Sequence, residues 1–194
     1  MITRLFREDV VELNVADADF VLRLASRGDF ANWRAARAAN RNFLQPFEPT
    51  WSEDALDEDR YYLMVRDSRR AFRSRHGATM LLVHTESQEV IGGINLSNVQ
   101  RRVAQMANLG YWQSEAWCGA GRMGKAVRRM VDFAFYDFGL HRVQAGCIPE
   151  NEASARVLLG AGFREEGYAH KYLRINGRWQ DHRLFGITRL EDDL

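Results

Sequence analysis

Apolar and polar residues alternate over residues 10–15 and again over 20–24, the two-residue period of half-buried strands, with Asp17 and Asp19 between them as turn formers. The period then lengthens. Asp29 is placed to cap a helix that carries Trp33, Ala36 and Ala39. Residues 40–51 follow as NRNFLQPFEPTW, where Pro46 and Pro49 forbid a continuing helix and leave a loop with Phe43, Phe47 and Trp51 around Glu48. Such a loop serves either as a lid packed on the core or as a wall of a substrate pocket. Ser52 or Asp54 opens the next helix, which runs to about Arg75 and carries Arg60, Arg66, Arg69, Arg70, Arg73 and Arg75.

Beyond residue 78 the two-residue period returns. Strands are expected over 79–84, 90–96 and 107–112, separated by polar turns at 86–89 and 98–105, and such short connections imply an antiparallel meander. A glycine loop at 119–124 then opens an amphipathic helix. Met123, Ala126, Val127, Met130, Phe133, Ala134 and Phe138 fall on one face, and Lys125, Arg128, Arg129 and Asp132 on the other. A strand over 142–148 precedes a second helix, capped by Asn151 and ended by Gly160 and Gly162. Residues 168–175 and 178–187 form a hairpin about a type I′ turn at Asn176-Gly177. The pattern describes one mixed α+β domain over residues 1–194, with 1–19 an N-terminal extension or first strand.

Composition narrows the function classes. At 194 residues the chain is long enough for one domain with a real core, and 46% hydrophobic with 27% charged residues is an ordinary globular balance. Lys plus Arg 27 against Asp plus Glu 26 leaves a net charge of +1, which argues neither for nor against nucleic acid; the arginine-rich helix reads as a solvated face, and no direct nucleic-acid binding is expected. Cys118 and Cys147 have neither CxxC nor Cys/His metal spacing; no metal is expected, and a reducing cytoplasm suits them. The first fifteen residues carry charges within the first seven and no continuous apolar h-region, so no signal peptide is expected, and no run approaches the ~18 apolar residues of a membrane span.

The chemistry concentrates at Gly119-Ala120-Gly121-Arg122-Met123-Gly124-Lys125-Ala126. This run satisfies GxGxxG, the dinucleotide fingerprint, and all but the last position of the GxxxxGK[ST] phosphate loop. A nucleotide phosphate loop requires Ser or Thr where Ala126 stands, to hold Mg²⁺. A dinucleotide loop must follow its strand directly, whereas residues 113–118 intervene, and no βαβ series surrounds it. What survives is a set of backbone N–H groups at a helix N-terminus with basic neighbours, an arrangement suited to an anionic group.

The run from Cys118 to Met123 also resembles the glycine signature of the GNAT acetyltransferases, with Cys118 where that family has Gln or Arg and Met123 where it has a small residue. The likeness extends to the RimJ and RimL type of ribosomal-protein alanine N-acetyltransferase, RimJ the closer. It is carried by residues 40–49, by IGGINLSNV at 91–99, LGYW at 109–112, PENEAS at 149–154, Gly162-Phe163, and YLRINGRWQDH at 172–182. It implies a twisted, mostly antiparallel sheet of about seven strands flanked by helices, acting as an acetyl-CoA-dependent N-acetyltransferase. The acceptor implied is the N-terminal α-amine of a ribosomal or other protein. A small amine such as an antibiotic, amino acid or polyamine is the rival acceptor, and a non-catalytic acetyl-CoA-binding, ribosome-associated factor the rival from another class. Monomer and homodimer are both open.

By that resemblance Tyr111, Trp112 and Gln113 hold the pantetheine arm. Cys118, Gly119, Ala120, Gly121, Arg122, Met123, Gly124 and Lys125 hold the pyrophosphate, and Asn151 contacts the cofactor as well as capping its helix. Ser154 matches the thiolate proton donor, or is a locally satisfied helix serine. Asn42, Phe43, Phe47, Asn95, Asn98, Tyr168, Tyr172, Asp181 and His182 line the acceptor site. Glu48, as a lone carboxylate among aromatics, is the first candidate for general base, with recognition of the acceptor ammonium as its other reading; His182 is the best of the histidines. Cys118 sits at a helix N-terminus, where thiol pKa values fall, but direct transfer requires no acyl-enzyme.

Overall fold

The alternation at residues 20–24 becomes a strand, β2 (Phe20–Leu24), with Phe20, Leu22 and Leu24 buried and the residues between them half-exposed. A computed structural model describes residues 11–190, so Val10 of the expected first strand lies outside the described residues. That strand is β1 (Glu12–Asn14), and β3 (Ala78–His84), β4 (Val90–Gln100) and β5 (Met106–Gln113) complete an antiparallel meander. β6 (Arg142–Cys147) joins β5 in parallel, and the hairpin of β7 (Arg164–Ile175) and β8 (Arg178–Thr188) closes the sheet. The order is β1-β2-β3-β4-β5-β6-β8-β7, a mostly antiparallel sheet of eight strands.

Helices cover both faces. α4 (Arg122–Asp132) and α5 (Glu152–Gly160) bury Met123, Ala126, Val127, Met130 and Leu158 against Leu22, Met80, Leu82, Ile94, Leu109 and Val143. On the opposite face α1 (Phe30–Ala39) and α3 (Glu58–Arg73) pack Trp33, Tyr61 and Val65 on Leu81, Val83 and Val90. The hairpin turn has φ of 45° at Asn176 and 79° at Gly177, as a type I′ turn requires.

Several boundaries differ from the sequence expectation. Asp29 precedes α1 but does not cap it; its buried carboxylate turns back to accept from the Ser26 backbone N–H (2.8 Å), the Ser26 hydroxyl (2.7 Å) and Arg23 (2.6 Å). Residues expected as loop form a short helix, α2 (Arg41–Leu44), and a 3-10 turn (Gln45–Phe47), because Pro46 falls early in that turn, where its missing N–H costs nothing. α3 starts at Glu58 after Asp57, since residues 52–57 fold into two turns of their own. β4 continues past Leu96 to Gln100 through a bulge that puts Asn98 at φ 50°. α4 widens at residues 133–137 into a π-turn, closed by Phe138 N–H on the Phe133 carbonyl at 3.0 Å. The wider turn lets Phe133 and Phe138 meet at 4.8 Å and both pack on Phe72.

Gly93 marks the closest packing of the meander: a Cβ there would overlap the Trp112 indole, with Cε2 at 3.1 Å. Gly93→Val is expected to lower stability by about 1–3 kcal/mol through overpacking, read as a reduced denaturation midpoint with an unchanged m-value. Unchanged stability would show that Trp112 is not pinned there.

Candidate active site

β5 and β6 pair only at Met106↔Arg142, Ala107↔Val143 and Asn108↔Gln144. Beyond those pairs the strands diverge, β5 running to Gln113 beside β4 and β6 to Cys147 beside β8. The right-handed twist of a sheet, without further ladder bonds to close the gap, opens a wedge. Into it falls a cleft of about 570 Å³, walled by residues 109–113 of β5, 145–148 of β6 and its loop, and the start of α5. Main-chain N–H and C=O groups of β5 that would face β6 past Asn108 lack that partner and point into the wedge.

At one end of the cleft stand Cys118 and Met123, where the chain enters α4. Gly119 and Gly121 take φ of 88° and 71°, a region that favours glycine, and a Cβ at either would meet nothing within 4 Å. The first helical hydrogen bond runs from Lys125 N–H to the Gly121 carbonyl (3.1 Å), so the amides of 122–124 have no acceptor within the helix. The two basic side chains are held elsewhere. Arg122 binds the Asp19 carboxylate through Nε (3.0 and 3.1 Å) and Nη2 (2.6 Å), which lowers the Asp19 pKa and raises that of Arg122. Lys125 Nζ donates to the Asp17 carbonyl. The β1–β2 turn thereby absorbs charge that the sequence places beside an anion.

In the middle of the cleft Asn151 caps α5, its Oδ1 accepting from Ser154 N–H at 3.0 Å. The Ser154 hydroxyl lies 2.8 Å from the Tyr111 hydroxyl, which also donates to the Ser154 carbonyl at 3.2 Å. Burial pushes the Tyr111 phenol well up, so it stays protonated. Cys147 adjoins the pair; burial raises its thiol pKa, against a smaller opposing effect of the Ser154 hydrogen bond. Cys118 is raised too, by burial and then by Glu115, contrary to the lowering expected at a helix N-terminus.

The other end is walled by Phe43, Leu44, Phe47 and Glu48. Glu48 is not a lone carboxylate. Arg37 grips it at 2.8 and 2.5 Å, and Trp51 Nε1 donates to it at 2.7 Å. The Arg37 guanidinium is itself stacked between Trp51 (4.2 Å) and Trp112 (4.8 Å). Asn40, buried, ties this segment to the chain after β5 by accepting from Glu115 N–H at 2.8 Å. Across the wedge His182 is buried in the wall, and the edge of Tyr172 meets its ring at 5.6 Å.

Not every expected acceptor residue reaches the cleft wall. Asn42 is exposed, Asn98 is exposed in the β4 bulge, and the Asn95 amide lies over Gly110. Asp181 turns outward to accept from Tyr168 (3.0 Å), His170 (3.2 Å) and the Lys171 amide (2.8 Å). The sequence reading missed Arg37, although it lies four residues after Trp33 and so on the same helical face. It also missed Asn40 and Cys147, which no local pattern distinguishes.

The Acetyltransferase (GNAT) domain model matches residues 15–164. The chain belongs to the GNAT acetyltransferase family. This GNAT chain is 31% identical over 185 residues to the [ribosomal protein uS5]-alanine N-acetyltransferase of Escherichia coli, covering 94% of each. The crystal structure of the ribosomal-protein-S5-alanine acetyltransferase of Vibrio fischeri superposes with a TM-score of 0.87 at 29% identity, covering 93% of this chain and 98% of that one. RimJ of Mycobacterium smegmatis, solved in complex with CoA-disulfide, gives 0.83 at 30% identity over 95% and 88% of the two chains. The nucleotide-loop and dinucleotide readings lapse with the family and with a sheet that has one parallel pair. Among the described residues no helix is long and apolar enough to cross a membrane.

The raised thiol of Cys118 leads to a test. Cys118→Ala should keep kcat within about twofold, and iodoacetamide labelling of Cys118 should quicken as pH rises above 8 rather than saturate near neutrality. Loss of turnover with trapping of an acetyl-thioester on Cys118 would contradict this.

Proposed function

We propose that this protein transfers the acetyl group of acetyl-CoA to the N-terminal α-amine of a ribosomal protein, of the alanine-starting kind named for its uS5-specific relative. The observation that carries the reading is a cleft that crosses the sheet at the β5–β6 wedge, with a backbone cradle at one end and an aromatic wall at the other, in a chain alike to that relative over nearly its whole length.

The residues suit the donor. The open loop of Gly119–Gly121 and the first-turn amides of α4 offer N–H groups to a pyrophosphate at the positive end of a helix. The unpaired edge of β5 offers alternating donors and acceptors to the amides of a pantetheine arm, and a backbone N–H there can stabilise an oxyanion. Ser154, oriented by Asn151 and hydrogen-bonded to Tyr111, is the proton donor to the departing thiolate. Glu48, paired with Arg37, recognises the acceptor ammonium.

A polypeptide acceptor is favoured over a small amine by the apolar rim. Phe47 on the acceptor segment and Tyr168, Tyr172, Leu173 and Trp179 on the β7–β8 hairpin are all exposed, and Asn176 N–H on the Glu48 carbonyl (2.8 Å) joins the two. Exposed apolar clusters of this kind mark sites that receive a chain.

Purified protein with acetyl-CoA and a peptide copying the uS5 N-terminus should release CoA and gain one acetyl group on the α-amine by mass. CoA binding with no turnover on any protein or small-amine acceptor would defeat the reading. Ser154→Ala should lower kcat by about 10²-fold with little change in KM for acetyl-CoA. Gly121→Val should do the reverse, raising that KM while kcat holds.

A further inference from the structure

We infer that His182 is the general base that takes the proton from the acceptor ammonium, acting through Nε2. This rests on the acetyl transfer proposed above and adds the group that reading leaves unassigned. Attack on a thioester requires a neutral amine, whereas an α-ammonium with a pKa of about 7.7–8 is mostly protonated at neutral pH. A group in the acceptor end must therefore receive a proton.

Glu48 is poorly placed to do so, because both its oxygens are engaged by Arg37 and one also by Trp51. Protonating it would break a bidentate ion pair. Glu152 is committed to Arg183 at 3.1 Å, and Tyr111, its phenol raised by burial, is held protonated against Ser154. His182 differs in geometry. It lies 3.0 Å from the Gln180 carbonyl through Nδ1, and a carbonyl only accepts, so Nδ1 carries hydrogen and the neutral ring keeps its lone pair on Nε2. Strand alternation sends Arg183 to the α5 face, where it binds Glu152 and Glu165, and sends His182 to the face of α1 and α2, where the acceptor segment lies. Gly146 of β6 adjoins the ring, a Cβ there standing 3.6 Å from the His182 Cδ2.

Other titratable groups line the same cleft. Tyr172 of β7 meets the His182 ring; Cys147 and Glu150 stand on and after β6; Glu48 with Arg37 faces it from the acceptor segment. Its strand neighbour Asp181 is turned to Tyr168, His170 and Lys171.

The step balances as follows. Nε2 takes one proton from the ammonium, the nitrogen lone pair forms the N–C bond, and the thioester C–S bond breaks as its electron pair leaves on sulfur. Ser154 protonates the sulfur and regains its proton from the amide-forming nitrogen through solvent. His182 then returns its proton to bulk water, so each turnover releases one proton.

The test uses the full chain with acetyl-CoA and the uS5 N-terminal peptide, following kcat from pH 5.5 to 9.5 for wild type, His182→Gln and His182→Asn, the last keeping a donor for the Gln180 carbonyl. Wild-type kcat should rise along a single limb as pH is raised from 5.5. In both variants the limb should move up toward the pKa of the amine, with kcat at least tenfold low at pH 6.5, recovery by pH 9.5, and KM for acetyl-CoA unchanged. An unshifted limb, or a loss equal at every pH, would overturn the role of His182 and mark it as structural. Ser154→Ala, assayed beside them, separates the two ideas: its loss of kcat with an unmoved His182 limb leaves the acetyl-transfer reading standing without this base.

Discussion

Three residue pairs hold β5 to β6, and the cleft exists because they are so few. A sheet whose ladder continued would fill its own interior with hydrogen bonds and side chains. Here β4 keeps β5 and β8 keeps β6 to their full lengths, so each strand is rigid on its outer side and unsatisfied on its inner one. Backbone polar groups buried without partners are costly, and a ligand able to donate and accept along the strand edge meets that demand.

Around the wedge the helices divide the work. α4 and α5 present their N-terminal ends to one side, with the glycine loop and the Asn151 cap, and keep their apolar faces on the larger core. α1 and α2 close the other side through an interleaved stack in which Trp112, Arg37 and Trp51 lie in succession and Glu48 neutralises the arginine. The charge is compensated where it is partly buried, the condition under which an ion pair can be kept in an interior.

Much of the architecture was legible in the chain. The two-residue alternation located the strands, the 3.6-residue period located α4, and Asn176-Gly177 located the hairpin turn, because each is a local property. The glycine loop was legible as the turn into α4 for the same reason, Gly119 and Gly121 both taking positive φ. What local pattern could not carry was pairing across distance: that Arg122 would turn to Asp19 and Arg37 to Glu48. The π-turn at residues 133–137 was hidden likewise, since the ring it packs against, Phe72, lies over 60 positions earlier in the chain. The direction of the Cys118 thiol was hidden too: it stands three residues ahead of Gly121, the N-cap of α4, and partial desolvation and then Glu115 both raise it.

The position of Trp112 has a consequence for how such a protein can change over generations. Its backbone belongs to the strand edge that lines the wedge, while its indole rests on Gly93 and under the arginine that orients the acceptor segment. Contacting residues share interaction energies of about 0.5–3 kcal/mol and do not mutate independently. A substitution at Arg37 or Trp51 is therefore felt at the strand edge that the proposed reaction assigns to the donor. On the proposed reaction, a change at Gly93 or Trp112 would be felt at the strand edge and at the Arg37 stack together, so acceptor specificity and donor affinity would drift as one.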